Sequence, residues 1–489
     1  MRRAEINGIR LYWDEIPGPF TAHLLVDVGV EDEPFPCLGI TGLVEQLALV
    51  AVSDGGHGCD GLDSAVNGDH VHFRAVGEPE RVAEAVNRLC RALAEPPVNH
   101  LAAAVRRVEA RQQREERWER FQEHELAFRY GLRGPGKIGW EAPAVEHVGA
   151  DAVRAWAAER FTRPGAVLLL TGPPPKALDP RLPDGPRTER PVVAALPGTT
   201  GCWVEAPCHR DDLAMVSFEG PASPAGHLAA ELARGRALRD PGVVADLTGD
   251  VEVHSSSVGG GRMLFWLVAE TDGAGAAAVG EGLDRILREL AAEGPAEDEI
   301  RQTVRTWHDH LDTGERRHAL LVTAGLDHLS GLEVHDVASL RARLAALGAA
   351  DIRGALAAYD STALLVLPAH CAPVEGSRFV PEPDLLSEDL HEPYAYRPRL
   401  FGPVGRHERM YLNDEGLVHW NGHCMRGVRW HQAAGLGVFP SGLRRLFGTK
   451  GVALDIHADW YKSGSDLTAA VDARVHPSLR FPMSEGEPI

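Results

Sequence analysis

Cysteine is scarce in this chain of 489 residues. The seven present (Cys37, Cys59, Cys90, Cys202, Cys208, Cys371 and Cys424) are scattered, odd in number and without a C-x-x-C pair. That argues against a disulfide framework or a zinc ribbon and predicts reduced thiols in a cytoplasmic protein. Cationic residues are also short. Fifty Lys and Arg face seventy Asp and Glu, a net charge of −20, so nucleic acid and anionic membranes are poor partners for the chain as a whole. No run of about 18 apolar residues is read in the chain, so no transmembrane helix is expected. The N-terminus, MRRAEINGIRLYWDEIPGP, has two arginines and no apolar core behind them, so no signal peptide is expected. What remains is ordinary globular composition, 44% hydrophobic and 25% charged, at a length that suggests about three domains.

Proline interrupts the chain twice, over 172–200 (GPPPKALDPRLPDGPRTERP, then LPGTT) and over 369–398 (CAPVEGSRFVPEPDLLSEDLHEPYAYRP). Proline fixes φ and removes a donor, so both stretches read as linkers. They separate segments 1–171, 201–368 and 399–489. The first two segments repeat one order: a strand (VHFRAV, MLFWLVAE), a helix, a long charged helix, a short helix and an apolar closing strand (GAVLLLTG, TALLVLP). A repeat of this size predicts a duplicated α+β half-domain with a cleft between the copies. The mixed charges over Arg106–Glu125 read as a solvated helix face. Gly259–Gly261 lacks the Lys-Ser/Thr ending of a phosphate loop and reads as a hairpin turn. In the third segment, ERMYLND-EG-LVHW reads as a hairpin. Further strands follow, and Ser465 or Asp466 is placed to cap a last helix that buries Leu467, Ala470, Val471 and Val475 and stops at Pro477. A small barrel or sandwich closed by one helix is expected there.

The stretch richest in chemistry is Gly39–Leu49, GITGLVEQLAL. As a helix it places Gly42, Glu45 and Gln46 at i, i+3 and i+4, on one face. This resembles the metal-binding helix of the insulinase and mitochondrial processing peptidase family, the inverted-motif zinc peptidases (inverzincins). There an H-x-x-E-H pattern supplies two zinc ligands and a general base. By that resemblance Glu45 holds the base position. Gly42 and Gln46 stand where the histidines belong: glycine offers no donor and an amide oxygen is a poor zinc ligand. Ala65–Phe73, AVNGDHVHF, is similar to the family's edge strand, with Asp69 and Phe73 at its aspartate and aromatic positions. Glu109, in VRRVEARQQ, best fits the third ligand; Glu115 and Glu116 are alternatives. Of the family's substrate-holding Arg and Tyr, Arg316 and Arg317 fit the arginine, and no tyrosine occurs between Tyr130 and Tyr359. The last segment resembles a pleckstrin-homology-like domain. Over 406–480 it has ten Lys and Arg against seven Asp and Glu, including Arg426, Arg429, Arg444, Arg445 and Lys450.

The resemblance implies two insulinase-type halves forming a clam-like shell, followed by a small β-rich module. It also implies a zinc-peptidase homologue that has lost its ligands, with no bound cofactor. Such a pseudoenzyme would bind an extended peptide, self-associate, or partner a paralogue that keeps H-x-x-E-H in a heteromeric peptide-processing enzyme. Two alternatives stay open. One is an active metallopeptidase with a rearranged site built from Glu109 with His57, His70 or His72, the last two predicted to share a strand face; Cys59 lies in the same cluster of sequence. The other is a scaffold that recruits a protein through its C-terminal segment. His419, His423 and Cys424 invite a metal reading by spacing, but a strand would point them apart. The acidic shell favours a basic peptide or partner face.

Overall fold

A computed structural model describes residues 1–53, 61–114, 117–187, 189–205, 212–368, 371–382, 390–391, 393–400 and 403–484, without the side chains of residues 53 and 112–121. The first half holds β1 (Arg2–Ile6), β2 (Ile9–Trp13), β3 (Thr21–Val26), β4 (Gly61–Val66), β5 (Val71–Val76) and β6 (Ala166–Leu170). Its helices are α1 (Ile40–Ser53), α2 (Pro79–Ala94), α3 (Leu101–Arg114), α4 (Arg117–Tyr130) and α5 (Ala150–Arg160). The second half holds β7 (Cys202–Glu205), β8 (Leu213–Pro221), β9 (Leu247–Ser257), β10 (Arg262–Thr271), β11 (Leu364–Leu367) and β12 (Val380–Pro381). With them come α6 (Pro224–Ala237), α7 (Pro241–Val244), α8 (Ala276–Ala292), α9 (Glu297–His310), α10 (Gly314–Leu329), α11 (Val337–Ala346), α12 (Ala349–Ala355) and α13 (Tyr359–Thr362).

The two sheets run β1-β2-β6-β3-β5-β4 and β12-β7-β11-β8-β10-β9. From the second strand onward the pattern repeats: a parallel pair (β2/β6, β7/β11), then antiparallel partners out to the edges β4 and β9. The first strands differ. β1 pairs antiparallel with β2 as a hairpin, whereas β12 returns from beyond the half to pair parallel with β7.

Side chains alternate across a strand, so each sheet needs cover on both faces. Leu24, Val26, Leu168 and Leu170 pack with α1, α2 and α5. Their neighbours Leu25, Val167 and Leu169 point the other way and meet Leu321 and Leu329 of α10, from the second half. The exchange is reciprocal: Leu126 and Tyr130 of α4 cover Met215, Trp266 and Val366 of the second sheet. Gly325 makes the α10 contact fit, because a Cβ there would lie 2.8 Å from Leu25 Cδ1 and 2.9 Å from Leu169 Cδ1.

The exchange corrects the solvated reading of Arg106–Glu125. Arg106 and Arg107 are exposed, but Glu125 is buried. It accepts from Arg129 Nε at 2.6 Å and Trp266 Nε1 at 2.8 Å, and also from Ser217 Oγ. A helix pressed between halves can carry charge only if each charge finds a partner.

α1 is buried all round. Phe35–Val52 is long and apolar enough to cross a membrane by length and composition, which corrects the expectation that no such run of about 18 residues occurs, but two-thirds of it is buried inside the protein. Its start is tied by Glu33, which accepts from the backbone N–H of Gly39 (2.6 Å) and Thr41 (2.8 Å). Burial pushes the Glu33 carboxyl up to about 7 against those hydrogen bonds.

The last segment has two four-stranded sheets. One is β13 (Tyr394–Tyr396), β14 (Arg409–Leu412), β15 (Gly416–Trp420) and β16 (Met425–Arg429). The other comprises β17 (Ala433–Val438), β18 (Arg444–Gly448), β19 (Ala453–Ile456) and β20 (Arg480–Pro482), in the order β19-β18-β17-β20. They share a core with Leu467, Val471 and Val475 of α14 (Gly464–Arg474) and the residue after it. β13 falls inside the stretch read as linker. α14 starts one residue earlier than Ser465, after Ser463 in a left-handed conformation with no side-chain cap. The module docks on the first half through Phe35, whose ring centroid lies 4.9 Å from that of Phe447 and 6.1 Å from that of Phe481. Leu132 N donates to Thr449 O at 2.9 Å. Gly131 permits this approach: its φ is +64°, and a Cβ would lie 2.3 Å from Thr449 O.

Candidate functional site

Glu45, on α1, is wholly buried. Its carboxylate accepts from Gln46 Nε2 at 2.8 Å and from Ser64 Oγ at 2.5 Å. Arg111 Nη1, reaching across from α3, lies 3.1 and 3.2 Å from its two oxygens. Arg111 Nη2 donates to Ser64 O at 3.0 Å. Ser64 N meanwhile donates to Asp63 Oδ1 at 2.8 Å. One guanidinium thus joins α1, α3 and the edge strand β4.

Neither Arg111 nor Ser64 was identified from the sequence. The available signal was spacing: Val108 and Arg111 are i and i+3 on α3. Val108 Cγ2 would lie 3.4 Å from a Cβ on Gly42, so the face carrying Val108 looks onto α1. Glu109 lies about 100° round the helix. Among the described residues, the α3 side chain that reaches Glu45 is Arg111, not Glu109. Glu115 and Glu116 lie outside the described residues.

These residues do not fit a zinc ion. Gly42 has no donor atom, Gln46 offers only an amide oxygen, a poor zinc ligand, and a fixed positive charge sits against the one carboxylate. Among the described residues no group of three or more His, Cys, Asp or Glu is arranged to hold a metal. His57 and Cys59 lie outside the described residues. His70 and His72 do not act together. His70 Nδ1 bonds Asp69 Oδ1 at 2.6 Å and its Nε2 meets Asn67 Nδ2 at 3.0 Å, whereas His72 turns to His23. In the last segment His419 Nε2 bonds Glu408 at 2.8 Å, while His423 N and Cys424 N donate to Asn421 Oδ1 in the hairpin turn.

A cleft of about 1390 Å³ opens between the halves, with Arg111 and Asp69 on one wall and His227, Glu231, Arg316 and Asp327 on the other. Arg316 is exposed there, but Arg317 turns away to pair with Asp14 at 2.8 Å. Thr323, two turns beyond Arg316, faces the cleft where a tyrosine was sought. Phe73 is not in the cleft; it is buried in the first core, because the alternation of β5 turns it toward α1 and α2. Gly259–Gly261 form the turn between β9 and β10, as expected of a hairpin.

The linker contributes too. Arg190 donates to both Asp32 oxygens at 2.8 and 2.7 Å, to Asp27 Oδ1 at 2.5 Å and to Asp69 O at 2.6 Å. Burial opposes ionisation of Asp69, but the His70 contact and Arg190 outweigh it and hold the carboxyl below its usual value. Several other cleft carboxyls are raised. Burial, then the charge of Asp69, pushes Glu31 to about 8, and burial alone takes Asp327 to about 6. Burial also raises Glu231. Glu231 lies 3.9 Å from Arg234, and most cleft arginines are also paired: Arg111 with Glu45, Arg187 and Arg190 with Asp27, Arg262 with Glu219 and Arg343 with Glu333. In the last segment Arg429, Arg444 and Arg445 pair with Glu415, Asp472 and Asp455, so these arginines are engaged within the module.

No protein-family model and no curated protein matches the sequence. The fold does match solved structures. A protease from Helicobacter pylori superposes with a TM-score of 0.60 at 12% identity, over 75% of this chain and 98% of that one. A peptidase M16 inactive domain from Pseudomonas fluorescens gives 0.57 at 15%, over 76% and 99%. Pitrilysin gives 0.53 at 14%, over 74% of this chain but 44% of its own length. About three quarters of the chain therefore has the fold of the M16, or insulinase-family, peptidases, one of which is described as inactive.

Proposed function

We propose that this chain is a non-catalytic member of a peptide-processing peptidase, with insulinase-type halves at 1–171 and 201–368 and a pleckstrin-homology-like module at 399–489. The observation that carries the reading is the Arg111–Glu45 pair. Hydrolysis by this peptidase fold needs a carboxylate free to take a proton from a metal-polarised water. Here that carboxylate is buried and accepts from three side chains, one of them an arginine. The scaffold around it is intact. The chain's excess of Asp and Glu over Lys and Arg, 70 against 50, supports an extended basic peptide as its ligand. The two four-stranded sheets with one closing helix support the reading of the last segment.

A protein of this kind works by holding a peptide for a paralogue that keeps H-x-x-E-H, or by docking to that paralogue as a structural subunit. The test measures metal content and peptide turnover of the purified chain, alone and mixed with such a paralogue. The reading expects no zinc and no turnover alone, with turnover or specificity altered in the mixture. Stoichiometric zinc with chelator-sensitive cleavage by the chain alone, abolished by Glu45→Gln, overturns it and establishes a rearranged active site.

A further inference from the structure

Three imidazoles stand in line where the halves meet. His23 Nδ1, on β3, lies 2.7 Å from His72 Nε2 on β5, and His23 Nε2 lies 2.6 Å from His318 Nε2 on α10. His23 is only 2% exposed. One ring presents its two nitrogens to two different partners, so the donors do not converge on a point as a metal ion needs. The arrangement is a hydrogen-bond relay from the first sheet to a second-half helix.

Proton count decides whether the relay holds. With three neutral rings each contact has one N–H and one lone pair, in either of two directions. One added proton makes His23 an imidazolium that donates both ways, but that charge is buried. A second added proton on a terminal ring nitrogen sets N–H against N–H at one contact. The surroundings oppose both steps. Burial, then His72, His318 and Arg74, lowers His23 to about 2. Burial and then His70 lower His72 to about 4, with Arg74 and His318 adding and Asp63 opposing. Burial and Arg74 lower His318.

The far end of α10 repeats the pattern. His328 Nδ1 meets Tyr12 OH at 3.4 Å, and burial, Arg187, Arg10 and Arg3 lower it. The carboxylates nearby are occupied, Asp14 by Arg317 and by the N-terminal amine at 3.9 Å, and Asp27 by Arg187 and Arg190. Asp327 turns into the cleft and acts in the opposite sense, since its raised pKa favours the folded state as pH falls toward its unfolded value.

We propose that protonation of the His72–His23–His318 relay releases α10 from the first sheet, so that the contact between the halves is an acid-sensitive latch. A histidine lowered in the docked state stabilises docking fully above its unfolded value, about 6.5. The contribution is lost as pH falls from there toward the docked value. α10 carries Arg316, Thr323 and Asp327, so its release opens one wall of the cleft. This goes beyond the peptide-holding reading and does not depend on it.

The test is amide hydrogen exchange of the full chain at about pH 7.5 and about pH 5, corrected for intrinsic rates, comparing α10 with α2 as internal control. α10 is expected to lose about tenfold or more of its protection relative to α2, the size of a one-unit pKa difference. His318→Gln, a substitution at a half-buried position on a helix face, is expected to reduce that pH-dependent loss, leaving the part carried by His23. His72→Gln is expected to do the same. Equal loss in α10 and α2, or a full α10 loss retained in both variants, overturns the latch.

Discussion

Arg111 Nη1 lies 3.1 Å from Glu45 Oε1 and 3.2 Å from Oε2, so a guanidinium from α3 faces the carboxylate of α1. Glu45 is fully buried and Arg111 is 39% exposed. Arg111→Ala is therefore expected to strand a buried charge. The loss is expected at about 2–3 kcal/mol in urea unfolding, less than a fully buried pair because water screens the arginine. Pairing Arg111→Ala with Glu45→Gln should recover much of it. A double variant no more stable than Arg111→Ala counts against the pair as the cause.

Metal binding should be obtainable by adding donors. Gly42→His, Gln46→His and Arg111→Glu together place two imidazoles and a carboxylate on the facing helices. Val108→Ala accompanies them, because Val108 Cγ2 stands 3.4 Å from the Cβ position of residue 42. The combined variant is expected to retain about one zinc per chain after dialysis, by elemental analysis, whereas Gly42→His alone retains none. Zinc on the single variant contradicts the blocking role of Arg111.

The Glu125–Arg129 pair sits in the other exchange contact, with both side chains almost wholly buried. Glu125→Gln leaves Arg129 with Ser217 and the Thr362 carbonyl as partners. A loss of about 3–5 kcal/mol is expected, as for other broken buried pairs. Thermal unfolding of the variant reads it directly, and a shift within error of wild type rejects the assignment.

Gly325→Ala tests the seating of α10 from the opposite direction. The new methyl would meet Leu25 and Leu169 below 3.0 Å. Overpacking of this kind costs about 1–3 kcal/mol, while alanine's higher helix propensity returns about 1 kcal/mol. Net destabilisation is expected, and Leu169→Ala in the same chain should relieve part of it. A more stable single variant means that α10 is not seated as described.

Phe447→Ala removes a ring from the contact between the last module and Phe35. A loss of about 3 kcal/mol is expected from a large-to-small change at a buried aromatic. Because the ring lies between modules, limited proteolysis should release residues 399–489 faster than in wild type. Unchanged cleavage rejects Phe35–Phe447 as the anchor.

The sequence by itself determined the repeated order of strands and helices, because a strand–helix–helix–strand succession with apolar closing strands leaves few ways to bury both faces. It also determined that positions 42 and 46 lack histidine, since ligand identity is a matter of residue type. What the tertiary structure decided is direction. Arg111 and Glu109 are two residues apart, yet only one reaches Glu45, because α3 turns about 100° per residue and its angle against α1 is fixed by packing. The same logic sent Phe73 into the core, Arg317 to Asp14 and Arg316 into the cleft. It also brought together His23 and His318, 295 residues apart, by exchanging a helix between halves. No local spacing records that exchange.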